Sequence, residues 1–210
     1  MALSQISSWT GGSGEDYAYA LCYDGTYLYV GLRTSPAQVK KMNRSGMSVI
    51  ATWTGATNQN LCYGLAWNGA NLFAALNTDS SVEANLIKIN VSDMSTVSTW
   101  STPAGTRTRS VLWASPYLYV GDNPLPGHVF QINPSTMATV ATWNAPAGFS
   151  GIYALVFDGT YLYAGSQGSS PAVVCQINIA TMATVATWTG VVDVENKADC
   201  LVWEIGRAHV

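Results

Sequence analysis

Apolar and polar residues alternate over short runs in this chain, and no segment sustains a 3.6-residue apolar period. Between residues 153 and 189 the runs are YALVF (Tyr153–Phe157), TYLYAGS (Thr160–Ser166), VVCQIN (Val173–Asn178) and TVATWT (Thr184–Thr189). Each is rich in β-branched or aromatic residues and is bounded by Gly, Pro, Ser or Asn. That pattern predicts four short strands and almost no helix.

The four-run pattern recurs along the chain. Tryptophans close similar segments at Trp9, Trp53, Trp100, Trp143 and Trp188, at intervals of 44, 47, 43 and 45 residues. Asparagines keep the same phase at Asn43, Asn90, Asn133 and Asn178. A fixed period of this size marks a repeat architecture, and four strands per period of about 45 residues is the dimension of a β-propeller blade. The predicted fold is all-β: one propeller domain over residues 1–203. Its complete blades span about 17–55, 62–101, 108–144 and 152–190, with an N-terminal closing strand at 5–10 and a partial fifth blade at 198–203.

The strings DGTYLYVG (Asp24–Gly31) and INPSTMATVATW (Ile132–Trp143) resemble the blades of bacterial YVTN and streptogramin-lyase-like β-propellers, and the resemblance runs from about Gln5 to Trp203. It implies four-stranded antiparallel blades. It does not choose an activity, because binders and enzymes share these strings. The histidine-aspartate and tryptophan-aspartate marks of WD blades are missing. The closing EIGRAHV (Glu204–Val210) leaves the repeat and resembles a translated sequencing adapter, so a non-native tail is expected there. The ring is then expected to be truncated from one of at least five blades, with six to eight the expectation.

Composition narrows the partners. Charged residues make up 10% of the 210, and the net charge is −3, so no electrostatic pull toward nucleic acid is expected. No apolar run reaches the roughly 18 residues of a membrane span, and MALSQISSWT shows neither the basic nor the apolar part of a signal peptide. Cys22, Cys62, Cys175 and Cys200 lie far apart without a CxxC pair and read as free thiols in or beside strands. The compartment stays open.

Strands of a blade alternate in direction, so its loops sort to two ends. At one end the turns repeat: Asp24-Gly25, Asn68-Gly69, Ala114-Ser115 and Asp158-Gly159 predict type I′ hairpins, and the NPSTM and NIATM turns are as stereotyped. Asp24 and Asp158 therefore read as turn residues, freely exchanged for Asn68. Tyr29, Phe73, Tyr119 and Tyr163 share one second-strand position and read as inter-blade packing, as do the strand-ending tryptophans.

At the other end the loops differ from copy to copy, and binding is expected there. The candidates are Glu15, Asp16, Arg107, Arg109, Asp122, His128, Asp193, Glu195 and Asp199. Arg107 and Arg109 alternate at strand spacing and could grip a carboxylate or phosphate. His128 reads as a solvated loop histidine. Glu15, Asp16, Asp193, Glu195 and Asp199 carry oxygens suited to Ca2+ or Mg2+, at a spacing that matches no defined loop, so no cofactor is expected. Among related propellers, the lyases work with histidine and magnesium, and a single His128 does not reproduce that set. No G-x-S-x-G, Walker or zinc-protease string is present. The expectation is a non-enzymatic scaffold for a protein, peptide or glycan. The alternatives are a lyase or lactonase-like enzyme with a divalent cation, and a structural or surface-assembly protein.

Overall fold

The computed structural model describes residues 6–78, 85–103, 106–167, 170–192, 194–195, 197–198 and 201. It contains sixteen strands, and no helix among these residues. In chain order they are β1 (Ala18–Tyr23), β2 (Tyr27–Leu32), β3 (Gln38–Asn43), β4 (Val49–Thr54), β5 (Cys62–Trp67), β6 (Asn71–Leu76), β7 (Leu86–Asn90), β8 (Ser95–Trp100), β9 (Thr108–Ala114), β10 (Tyr117–Asp122), β11 (His128–Asn133), β12 (Ala138–Asn144), β13 (Ile152–Phe157), β14 (Tyr161–Ser166), β15 (Val173–Asn178) and β16 (Ala183–Thr189). They form four antiparallel four-stranded meanders, β1–β4, β5–β8, β9–β12 and β13–β16, which are propeller blades. The chain divides into two compact units, residues 1–105 and 106–210, with two blades in each.

Burial follows position within the blade. The second and third strands, such as YLYVGL in β2 and VFQI in β11, are buried on both faces and carry nearly continuous apolar sequence. The fourth strands are Ser/Thr-rich and largely exposed, which keeps the outer edge polar. Two irregularities recur at fixed phase. One lies at the start of the first strand (Ala18/Ala20, Cys62/Gly64, Ile152/Ala154), and one lies between third and fourth strands (Lys41/Met42, Lys88/Ile89, Gln131/Ile132, Gln176/Ile177).

Within each unit the two blades close on the same set of side chains. In unit 1, Tyr29, Val39 and Trp53 meet Leu72, Leu76, Ile87 and Ile89. In unit 2, Tyr119, Val129 and Trp143 meet Ile152, Leu162, Cys175 and Ile177. Trp53 and Trp143 wedge between sheets, whereas Trp188, expected to do the same, is half exposed, and the two wedged indoles also satisfy their N–H across the gap. Trp53 Nε1 donates to Thr96 Oγ1 and Trp143 Nε1 to Thr184 Oγ1, both at 2.9 Å. The glycine of YVG admits the next blade: a Cβ at Gly31 would lie 2.6 Å from Cys62 Sγ, and one at Gly121 2.7 Å from Ile152 Cβ.

The uniform-end turns differ from the type I′ expectation. Only the glycine takes positive φ (+95° at Gly25, +93° at Gly69, +98° at Gly159), so the aspartate or asparagine is the residue before the turn. Its side chain closes the turn. Asp24 Oδ1 accepts from Thr26 N at 2.7 Å and Tyr27 N at 2.6 Å, while Oδ2 accepts from Tyr29 Oη at 2.8 Å. Asp158 repeats this with Thr160, Tyr161 and Tyr163. Asn68 binds the two amides of Ala70 and Asn71, and its blade has Phe73 where the others have tyrosine. The second carboxylate oxygen thus meets a tyrosine hydroxyl in the first and fourth blades; in the third, where Ala114-Ser115 forms the turn, Tyr119 Oη instead accepts from Gln131 Nε2 at 3.0 Å. The phased asparagines have an equivalent job. Asn43, Asn90, Asn133 and Asn178 each accept the backbone N–H two residues on, at 2.9–3.0 Å.

Cys62 and Cys175 are buried free thiols and Cys22 is a half-buried one; burial pushes the Cys62 thiol up to about 12. Ile6–Thr10, at the N-terminal segment expected to close a blade, carry no strand. Gln5, Cys200 and the tail from residue 202 onward lie outside the described residues, as does most of the predicted partial blade.

Candidate functional site

The variable-loop end of each blade is built on one backbone contact, from the residue after the second strand to the residue before the first. The bonds are Arg33 N to Tyr17 O (3.2 Å), Asn77 N to Leu61 O (3.0 Å), Asn123 N to Arg107 O (3.1 Å) and Gln167 N to Gly151 O (3.2 Å). Four equivalent positions thus carry Arg33, Asn77, Asn123 and Gln167. Beside them stand the first-strand residues Tyr19, Tyr63, Arg109 and Tyr153, which face away from the buried small residues Ala20, Ala66, Ser110 and Ala154.

In unit 1 this scaffold gathers Arg33 and three tyrosines. The guanidinium carbon lies 5.6, 5.1 and 4.8 Å from the ring centres of Tyr17, Tyr19 and Tyr63, and Tyr19 and Tyr63 lie 4.7 Å apart. In unit 2, Arg109 reaches the same place from the first strand and stacks on Tyr153 at 5.0 Å. With its amide oxygen turned toward Arg109, Asn123 accepts from Nη2 at 3.0 Å and donates to Arg107 O at 3.3 Å. Arg107 is exposed and Arg109 half-buried, with Thr108 buried between them, as strand alternation expects.

Asp122 and His128, far apart in the variable loop, come together. Asp122 ends β10 fully buried, accepting from His128 N at 2.6 Å and Thr106 Oγ1 at 2.7 Å, with His128 Nδ1 3.0 Å from Oδ2. Burial raises the Asp122 carboxyl above its ordinary value, against the bonds from Thr106 and His128 that pull it down. His128 is therefore not a solvated loop residue. It opens β11, is 24% exposed, packs against Phe130, and keeps Nε2 as the lone-pair nitrogen when Nδ1–H faces the carboxylate.

The acidic candidates are placed apart. Glu15 pairs with the buried Lys40 and accepts from Gly12 N at 3.0 Å, and the Lys40 and Gly12 bonds hold its carboxyl below the usual range. Glu195 occupies the matching place in a later link, accepting from Val191 N at 2.9 Å. Asp16 is exposed, and Asp193 and Asp199 lie outside the described residues. Among the described residues no three His, Cys, Asp or Glu side chains come together as a cation set. The candidates read from the sequence did not include Arg33, Tyr17, Tyr19, Tyr63, Tyr153, Thr106 or Asn123. The available signal was phase: positions 19, 63, 109 and 153 are one repeat position, holding tyrosine three times and arginine once.

The chain matches no family profile and no curated protein. It resembles solved structures at the level of fold. A chain of the mitotic checkpoint complex is 18% identical with a TM-score of 0.67, over 87% of this chain and 53% of that one. Hydrazine synthase from Kuenenia stuttgartiensis is 16% identical with a TM-score of 0.67, over 82% and 49%. The computationally designed Ika4 protein is 11% identical with a TM-score of 0.63, over 85% and 99%. The chain spans about half the length of the first two.

Proposed function

We propose that this chain is a non-enzymatic recognition scaffold that binds a protein, peptide or glycan at the variable-loop ends of its blades. The observation that carries the reading is the pair of arginines stacked on equivalent tyrosines. Arg33 over Tyr63 and Arg109 over Tyr153 come from different strands yet arrive at one repeat position in the two units. A stacked, oriented guanidinium binds planar anions and polar groups at lower entropic cost than a free one. The blade strings also place the chain, in our reading, among the YVTN and streptogramin-lyase-like propellers. Arrays of glycans and peptides probed with the full chain test the proposal. Captured ligands should be lost with Arg33→Ala or Arg109→Ala and kept with Arg44→Ala, which alters the opposite, uniform end. Ligands that depend on Arg44 alone would overturn it.

One observation favours an enzyme as the second reading. His128, oriented through Nδ1 by the buried Asp122, has the arrangement of a general base acting through Nε2. The described acids do not assemble a cation set, so this reading uses His128 alone. Turnover of lactone or ester substrates that falls with both His128→Ala and Asp122→Asn would support it; turnover unchanged in both would remove it.

A further inference from the structure

We propose that the variable-loop end of unit 1 binds an acidic sugar residue, with the sugar's carboxylate on Arg33. The inference rests on the recognition reading above and names its ligand class. Among the described residues, no acceptor takes a side-chain N–H of Arg33, and its Nε is buried without a partner. By contrast, Arg109 has Asn123 and Arg44 has the Tyr23 hydroxyl. Among the described residues the guanidinium is held by three tyrosine rings and no carboxylate, so it is oriented with its N–H groups untaken by any of them.

The unpaired groups around it are concentrated. Among the described residues, the buried side-chain polar atoms without partners are Arg33 Nε, Thr34 Oγ1, Gln38 Oε1 and Asn77 Oδ1. All belong to this corner. Thr34 follows Arg33, Gln38 begins β3 at the far end of the same loop, and Asn77 is joined to Thr34 through Leu61, which donates to Thr34 O at 2.9 Å and accepts from Asn77 N at 3.0 Å. Asn77 is 4% exposed. A buried polar group left unpaired is destabilising, and native proteins leave few. Four such buried atoms at one corner, among the described residues, mark a polar wall behind the exposed tyrosine rings that has both donors and acceptors left to use.

The neighbouring surface says what that is. Ser35, on the same loop, helps to line an uncharged hollow of about 340 Å³ with Pro36, Gly55, Thr57, Asn58 and Asn60, and its hydroxyl donates to Asn60 Oδ1 at 2.7 Å. Tyr17 and Tyr19 are 72% and 46% exposed, leaving ring surface open to solvent. A guanidinium takes a carboxylate, aromatic rings take the C–H face of a pyranose, and an amide-lined hollow takes hydroxyls. A uronic acid carries all three complements on one ring. A glutamate-rich peptide supplies the carboxylate but no ring hydroxyls to meet the polar side chains of the hollow.

Calorimetric titration of the full chain with trigalacturonate tests the proposal, with neutral galactotriose and triglutamate as comparisons. Trigalacturonate should bind at least about tenfold more tightly than either. Arg33→Ala should weaken it by at least about tenfold, Arg33→Lys by several-fold because the two-pronged donor is lost, and Arg44→Ala, at the opposite end of the blade, should leave it unchanged. Should Arg33→Ala fail to fold, Arg33→Lys and the near-UV tyrosine signal of the unmodified chain carry the same test. No trigalacturonate binding, equal binding by Arg33→Ala, or tighter binding of triglutamate would each overturn the site. An array ligand that depends on Arg109 but not on Arg33 would overturn the site and leave the scaffold reading standing.

Discussion

Replacing Tyr29 by phenylalanine isolates the bond that the hairpin aspartate makes to the second strand. Tyr29 is fully buried and its hydroxyl donates to Asp24 Oδ2 at 2.8 Å. A hydrogen bond to a charged group contributes about 1.5–3 kcal/mol, and partial solvent access at Asp24 reduces this to about 1 kcal/mol. Tyr29→Phe should therefore lower the melting temperature by about 2–4 °C for a chain of this size. Asp24→Asn should cost a similar amount. The double variant reproduces the Asn68/Phe73 pair already present in the second blade, so it should cost clearly less than the sum, with a coupling of about 0.5–1 kcal/mol in urea titrations. The coupling also has a pH signature. Burial raises the Asp24 carboxyl, but the bonds from Tyr27 N, Thr26 N and Tyr29 and the charge of Lys41 outweigh it, leaving a net lowered value. A folded-state value below the unfolded one contributes stability that is present above about pH 4 and lost as pH falls through the folded value. The coupling should therefore shrink in acid. Additive single effects at pH 7, or a coupling that grows in acid, would refute the assignment of the aspartate to this bond.

Two further outcomes follow from the same geometry. Trp143 and Trp188 end the identical string VATW, yet Trp143 is 2% exposed and Trp188 50% exposed beside an open hollow; Trp143→Ala should cost about 3–5 kcal/mol and Trp188→Ala less than about 1 kcal/mol, and equal losses in denaturant titration would contradict the wedge. Asp122 titrates with the opposite sign to Asp24: its folded value is raised, so its contribution is fully present below about pH 4 and is lost as pH rises through the folded value. Asp122→Asn should remove that loss and flatten the stability profile as pH rises above about 4, and an unchanged profile would show that Asp122 is not the group responsible.

The strands were legible because the repeat states each of them several times over. VVCQIN at Val173–Asn178 is observed with the predicted bounds, and TVATWT gains only Ala183. Hairpin chemistry was half legible. Asp-Gly announces a turn, but whether the aspartate sits inside it or caps it depends on where the Tyr29 hydroxyl arrives from the next strand. At the variable end, Arg107 and Arg109 were visible as charges, whereas Tyr63 and Tyr153 looked like ordinary strand aromatics until arginines were placed over them. Asp122 and His128 were each singled out; that they bond to one another follows from the ladder that sets β10 beside β11, while Thr106, just before β9, shares Oδ2 with His128 Nδ1.

Period, strand number and blade type were decided by local chemistry, because alternation, glycine turns and phased tryptophans act within a few residues and are written into every copy. The sites were decided by tertiary structure. Arg33 and Tyr63 belong to different blades, and only packing one sheet on the next brings a guanidinium over that ring. The same packing leaves Thr34 Oγ1, Asn77 Oδ1 and Arg33 Nε without partners among the described residues, a property of distances between chain segments that no single segment records.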